Sequence, residues 1–225
     1  MKRHMALLIA AVMAASSLPT SVYAASFKDM DDVPWAGAEK VIGSVADLGL
    51  LNGYEDNTFR AKNNVTYCEA MQMVYSTLIK SGVAQPLEAS AAFQYYGVMN
   101  TYGIPAWAKT AVAYGLNRQI ISMQDMMKFV TNGQSNAATR EDVAMMFGKA
   151  LSASYETAAA SDSAAQFRDY WNISANAVAQ VDLLKRLGIV SGDESNQFRP
   201  KSNINRAEMA VMLNKTYEVL KQGIG

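Results

Sequence analysis

The feature that most limits how this chain can fold is that it repeats itself. Residues 49–69 and 188–208 align without a gap, and nine of the 21 positions are identical. Gly49, Gly53, Glu55, Asn57, Phe59, Arg60, Lys62, Asn64 and Glu69 return as Gly188, Gly192, Glu194, Asn196, Phe198, Arg199, Lys201, Asn203 and Glu208. Ordinary residue usage would give about one or two matches by chance. A unit this small cannot bury an apolar face alone, so its copies must pack on one another.

Each copy opens on an aromatic-x-Asp triplet, Phe27-Lys28-Asp29 and Phe167-Arg168-Asp169. A helical face follows. In the first copy it runs Trp35, Ala38, Val41, Ile42, Val45, Leu48, and in the third Ala177, Val181, Leu184, Leu187. Spacings of three and four put these residues on one side of a helix, and Gly49 and Gly188 stand where a left-handed stop is expected. After each loop, Thr66-x-x-Glu69 and Asn205-x-x-Glu208 read as capping boxes opening a second helix. Met71, Val74 and Leu78 line one such helix, and Met209, Leu213, Thr216 and Leu220 the other. The methionines there read as adaptable core filling.

A weaker copy lies between them. Ile104-Pro105-Ala106-Trp107 parallels Val33-Pro34-Trp35-Ala36, and Thr139-Arg140-Glu141-Asp142 supplies a third cap. Its loop is three residues longer and lacks the Gly…Phe-Arg spacing. With strand signals almost absent, the expected fold is mostly α: three helix–loop–helix repeats packed as a pseudo-trimer around a central helical bundle. The repeats span 25–80, 98–151 (degenerate) and 167–222, with spacers at 81–97 and 152–166. A short helix is expected within Leu87–Tyr96.

Residues 1–24 read as a secretory signal peptide: basic Lys2-Arg3-His4, an apolar run from Met5 to about Ala15, and small residues at Val22 and Ala24. The run is too short for a transmembrane helix, so no integral membrane segment is expected after cleavage. Cleavage removes the only histidine, His4, and moves the formal charge from 0 to −2, because Lys2 and Arg3 leave with no acid. Without histidine there is no Ser-His-Asp or Cys-His catalysis and no His-ligated zinc. One cysteine, Cys68, excludes an internal disulfide and reads as a small buried residue. Near-neutral charge argues against nucleic acid. No phosphate loop or nucleophile elbow occurs. The chain reads as non-enzymatic, with no cofactor and no metal.

Several residues stand out as candidates. Arg140 and Arg206 sit one residue inside their caps, near helix-terminal amides where anions bind, and Tyr67 takes that place in the first copy. The alternative for each arginine is a solvated surface position. Gly53 and Gly192 supply either a turn closed to other residues or a close approach for a ligand. Trp35 and Trp107 read as core, with stacking of an exposed edge on a sugar as the alternative. Trp171 is offset from their position. Asp29 stands with Asp31 and Asp32 in a solvated acidic turn whose spacing fits no calcium loop. Phe59 and Phe198 are core anchors, and Arg60 and Arg199 are either solvated or line a groove.

At these residues the chain resembles the bacterial S-layer homology domain. That family shows an aromatic-x-Asp start, a Trp-Ala pair (Trp35-Ala36 here), a Gly-hydrophobic-hydrophobic-x-Gly step, a Phe-Arg pair and a Thr-Arg-Ala-Glu motif. The resemblance implies a secreted protein of the cell wall or surface. It would be held non-covalently by an acidic secondary wall polysaccharide, often bearing pyruvyl ketals, or by a modified peptidoglycan. It implies glycan-binding roles for Arg140, Arg206, Trp35, Asp29, Gly53, Asp169, Gly192 and Trp107, with one or two working grooves. A homo-oligomer or surface-layer partner is compatible with it. The alternative function is a structural surface protein that keeps the fold without glycan binding.

Overall fold

A computed structural model describes residues 27–152 and 163–223. The proposed signal peptide and most of the second spacer lie outside the described residues.

The fold is mostly α. In chain order the helices are α1 (Ala38–Asp47), α2 (Tyr67–Ser81), α3 (Ala89–Phe93), α4 (Tyr96–Thr101), α5 (Lys109–Asn117), α6 (Arg140–Leu151), α7 (Val178–Arg186) and α8 (Arg206–Gln222). Three helix pairs, α1/α2, α5/α6 and α7/α8, follow one another cyclically. The first helix of each pair packs on the second helix of the pair before it: α5 on α2, α7 on α6 and α1 on α8. Helix α2 also packs on both α6 and α8.

The same cycle appears in the backbone. Val65 donates to the Ile204 carbonyl at 2.9 Å, Ile204 to Ala138 at 3.1 Å, and Ala138 to Val65 at 2.8 Å. This closed ring of three bonds joins the segments that lead into the three second helices. One step further on, the first amide of each of those helices finds a carbonyl on a neighbouring loop: Tyr67 on Asn136, Arg140 on Ser202, and Arg206 on Asn63. These amides are among the groups that a helix leaves unpaired at its start. Here they tie units together. They are therefore not the open anion site expected from the sequence.

The caps explain where the second helices begin. Thr66 with Glu69 and Asn205 with Glu208 form full capping boxes. Thr139 accepts from the Asp142 amide, and the shorter Asp142 side chain turns back to the Thr139 hydroxyl at 2.7 Å. Each such cap contributes about 1 kcal/mol. Gly49 and Gly188 stop α1 and α7 at φ 62° and 70°. Gln119 holds the corresponding left-handed position after α5 at φ 57°.

Under each loop lies a buried phenylalanine. Phe59 and Phe198 are the expected anchors, and Phe129 fills the same role in the middle unit. Burying each contributes about 2 to 3 kcal/mol. Cys68 is fully buried.

Three features differ from the sequence expectations. The middle loop contains a small hairpin, Val130–Thr131 paired with Gln134–Ser135, turned by Asn132 and Gly133 at φ 52° and 76°. Asn-Gly is the residue pair that this turn requires. The spacer carries the short helix α3, and a second short helix, α4, runs from its end into the middle repeat. Gly53 and Gly192 are conserved between copies for space and not for a left-handed φ. A Cβ on Gly53 would sit 2.3 Å from the Phe27 ring, and one on Gly192 would sit 2.8 Å from the Asn196 backbone.

Candidate functional site

The aspartates of the opening triplets have a definite task. The two oxygens of Asp29 accept from the Phe59 and Arg60 amides at 2.8 and 2.7 Å. Asp169 does the same for Phe198 and Arg199 at 2.8 and 2.7 Å. Arg60 and Arg199 both lie at φ 56°, a conformation that costs a non-glycine residue about 1 to 2 kcal/mol. The carboxylate clamp holds the loop in it. Asp29 and Asp169 thus shape the loops from behind, and their carboxylates are already engaged by the chain.

Each second helix sends its first side chain toward the next unit in the cycle, and the three outcomes differ. Tyr67 is buried and donates its hydroxyl to Asp142 at 2.5 Å. Lys128 meets the other oxygen of Asp142 at 2.7 Å, and Phe129 stacks 5.5 Å from the Tyr67 ring. Burial pushes the Tyr67 hydroxyl pKa up, and the hydrogen bond to Asp142 adds to this. Burial opposes the charge on Asp142, yet Lys128, Tyr67 and Thr139 together hold its pKa below the usual carboxylate value. Only about 10 Å³ of space remains at this junction.

Arg206 is 4% exposed. It donates through Nε to the Phe59 carbonyl at 2.8 Å and through a terminal nitrogen to the Asn52 carbonyl at 2.7 Å. Its guanidinium carbon lies 4.8 Å from the centre of the Tyr54 ring and 4.7 Å from that of Phe59. Arg60 covers Tyr54 as well, at 4.1 Å. Desolvation is the largest influence on Arg206 and lowers its pKa. The expected exposed sugar-binding arginine is here a buried clamp on the first loop.

Arg140 faces the third loop and stays accessible to a groove. One terminal nitrogen meets Glu208 at 2.6 Å. Its Nε is buried and has no acceptor among the described residues. The groove encloses about 360 Å³ and is lined by Trp35, Arg140, Gly192, Asp193, Arg199 and Glu208, among others. Asp193 pairs with Arg199 at 2.5 Å, and the amides of Gln197 and Ser195 hold its pKa low. Glu208 is fixed from behind, because its second oxygen accepts from the Asn205 amide at 2.9 Å. The groove therefore offers an aromatic wall, a guanidinium paired with Glu208, and two carboxylates in fixed positions.

The structure thus brings Trp35, Arg140 and Gly192 together and places Arg206, Gly53, Asp29 and Asp169 in the framework. Trp35 and Trp107 are 39% and 55% exposed, so both lie at the surface and not in the core. Glu208, Asp193 and Arg199 join the site beyond the residues singled out for it. The signal for Asp193 was present in the aligned loops, where copy one has Tyr54 and copy three has Asp193. Among the described residues no cluster of three or more acidic, cysteine or histidine side chains could hold a metal. No described helix is long and apolar enough to cross a membrane.

The S-layer homology domain family matches this chain at residues 26–71 and 166–210. The matches cover the first and third loops with their clamps and caps, and the middle unit is not matched. No curated protein matches the chain. Domains of this family generally mediate anchoring to the bacterial cell wall.

Proposed function

We propose, from the two S-layer homology domains as premise, that this chain is a secreted module that holds to the cell wall through one glycan groove. The middle unit is a third and diverged copy of the same domain. Its arginine, Arg140, serves the groove of the third. The ligand is an acidic wall polysaccharide or a modified peptidoglycan. A carboxylate or ketal oxygen meets the groove-facing edge of the Arg140 guanidinium, and a sugar face rests on the Trp35 edge. Charge-assisted hydrogen bonds of this kind are stronger than neutral ones.

The observation that carries this reading is the contrast between the three junctions. At one of them the aromatic side chain, the arginine and the loop glycine line a common hollow. At another the equivalent arginine is bonded to protein carbonyls. The test is retention of the mature protein on purified sacculi, before and after chemical removal of wall polymers. Retention that disappears with the polymers supports a polysaccharide ligand, and retention that persists supports peptidoglycan. No retention on either favours the structural surface protein.

A further inference from the structure

Trp171 is 89% exposed, the most exposed large apolar side chain among the described residues. It belongs to a short turn, Tyr170–Asn172, that directly follows the Asp169 clamp. Tyr170 meets it edge-on at 5.3 Å, so the indole is braced on one side and open to solvent on the rest. A bare indole has one apolar body and one N–H donor, the combination found where a ligand has both apolar faces and hydroxyls.

A second hollow begins at the next residue. It encloses about 350 Å³ and is lined by Asp169, Asn172, Gln197, Arg199, Lys201 and Ser202, with Pro200 between them. Gln197 and Arg199 line the first groove too. The two hollows are therefore neighbours on either side of one ridge, and Asp169 fixes the backbone of that ridge. The second hollow is polar. Asn172 and Gln197 bring amides, and Lys201 bridges to Glu141 and Ser174, which anchors the floor to the middle unit.

The first copy shows what this place looks like without the feature. There the residues corresponding to Trp171 and Asn172 are Asp31 and Asp32, and Asp32 is paired with Lys62. An indole can stack on the face of a sugar ring and an aspartate cannot, so only the third copy carries such a platform.

We propose that the glycan site extends across the Gln197–Arg199 ridge into this second hollow, with Trp171 as a stacking platform for a further sugar of the same chain. The proposal rests on the glycan reading of the Arg140 groove. It deepens that reading by naming the ligand as an oligosaccharide of at least two units and not an isolated terminal sugar. Gln197 and Arg199 lie under the linkage, and Asn172 meets hydroxyls of the outer unit.

The test uses the mature protein, with calorimetric titration by solubilised wall polysaccharide and separately by its hydrolysed monosaccharide fraction. Trp171→Ala is expected to weaken polymer binding about tenfold, the scale of one good aromatic contact, and to leave monosaccharide binding unchanged. Asn172→Ala should act in the same direction, and Trp171→Phe should restore most of the loss. The exposure of Trp171 leaves the fold intact in each variant, which circular dichroism would verify. Polymer binding by Trp171→Ala at the strength of the natural protein overturns the outer subsite while the Arg140 reading stands. Absence of any binding by the unaltered protein overturns the Arg140 reading itself.

Discussion

The junctions served by Arg206 and Arg140 start from the same motif and end in opposite states. Both arginines are the first residue of a capped second helix, and both face a loop held by an aspartate clamp. In one, Tyr54 lies between Arg206 and Arg60, and the guanidinium bonds to loop carbonyls. In the other, the matching residue is Asp193. It pairs with Arg199, while Arg140 swings to Glu208 and leaves a hollow. One change from acid to aromatic in the loop accompanies the difference between a filled junction and an open groove. The lesson is that this motif can serve cohesion or binding, and the facing loop decides which.

The largest effect expected from breaking this comparison is on stability at the closed junction. Arg206→Ala strips a donor from the Phe59 and Asn52 carbonyls and should cost about 2 to 4 kcal/mol of unfolding free energy, measured by urea denaturation. A loss below about 0.5 kcal/mol would show that Arg206 is not a clamp. Gly53→Ala pushes a methyl into the Phe27 ring and the Thr58 carbonyl, and should cost about 1 to 3 kcal/mol in the same assay.

Tyr54→Asp gives the first loop the residue of the third. Its expected result is a second glycan site, seen as a calorimetric stoichiometry that rises from one to two. A stoichiometry still at one would mean that the Arg206 carbonyl bonds, and not the Tyr54 ring, keep the junction shut.

The smallest effects lie in the middle unit. Gln119→Gly relieves a left-handed non-glycine residue and should add about 1 kcal/mol of stability. Asp142 gives a pH signature. Its folded pKa lies below the model-compound value of 3.8, so its contribution is complete above that value and disappears as pH falls through the folded pKa. Asp142→Asn should therefore destabilise the protein at neutral pH and converge with the natural chain in strong acid. Parallel stability curves down to acid pH would contradict the Tyr67–Asp142–Lys128 network.

Much of the framework was legible in the sequence because it depends on local rules. Capping pairs, the left-handed glycines and the apolar faces of α1 and α7 follow from spacing alone. The Asn132-Gly133 turn carries an equally local signal, but its flanking strands are only two residues each and give no alternation to read. The roles of Asp29, Gly53 and Arg206 were not legible in the same way. Each depends on a group brought close by folding: a loop amide about 30 positions away, the Phe27 ring, and a carbonyl 147 positions away. Sequence alignment shows that such residues recur, but recurrence does not say whether a residue faces ligand or protein. The exposure of Trp35 and Trp107 was open for the same reason.

The most direct test of the account is the affinity of Arg140→Ala for solubilised wall polymer, read beside its unfolding free energy. The account predicts a loss of binding of tenfold or more, on the order of one charge-assisted contact, with stability changed far less than in Arg206→Ala. Undiminished affinity, or a loss of binding seen only when Arg206 is replaced, would contradict the assignment of the open groove to Arg140.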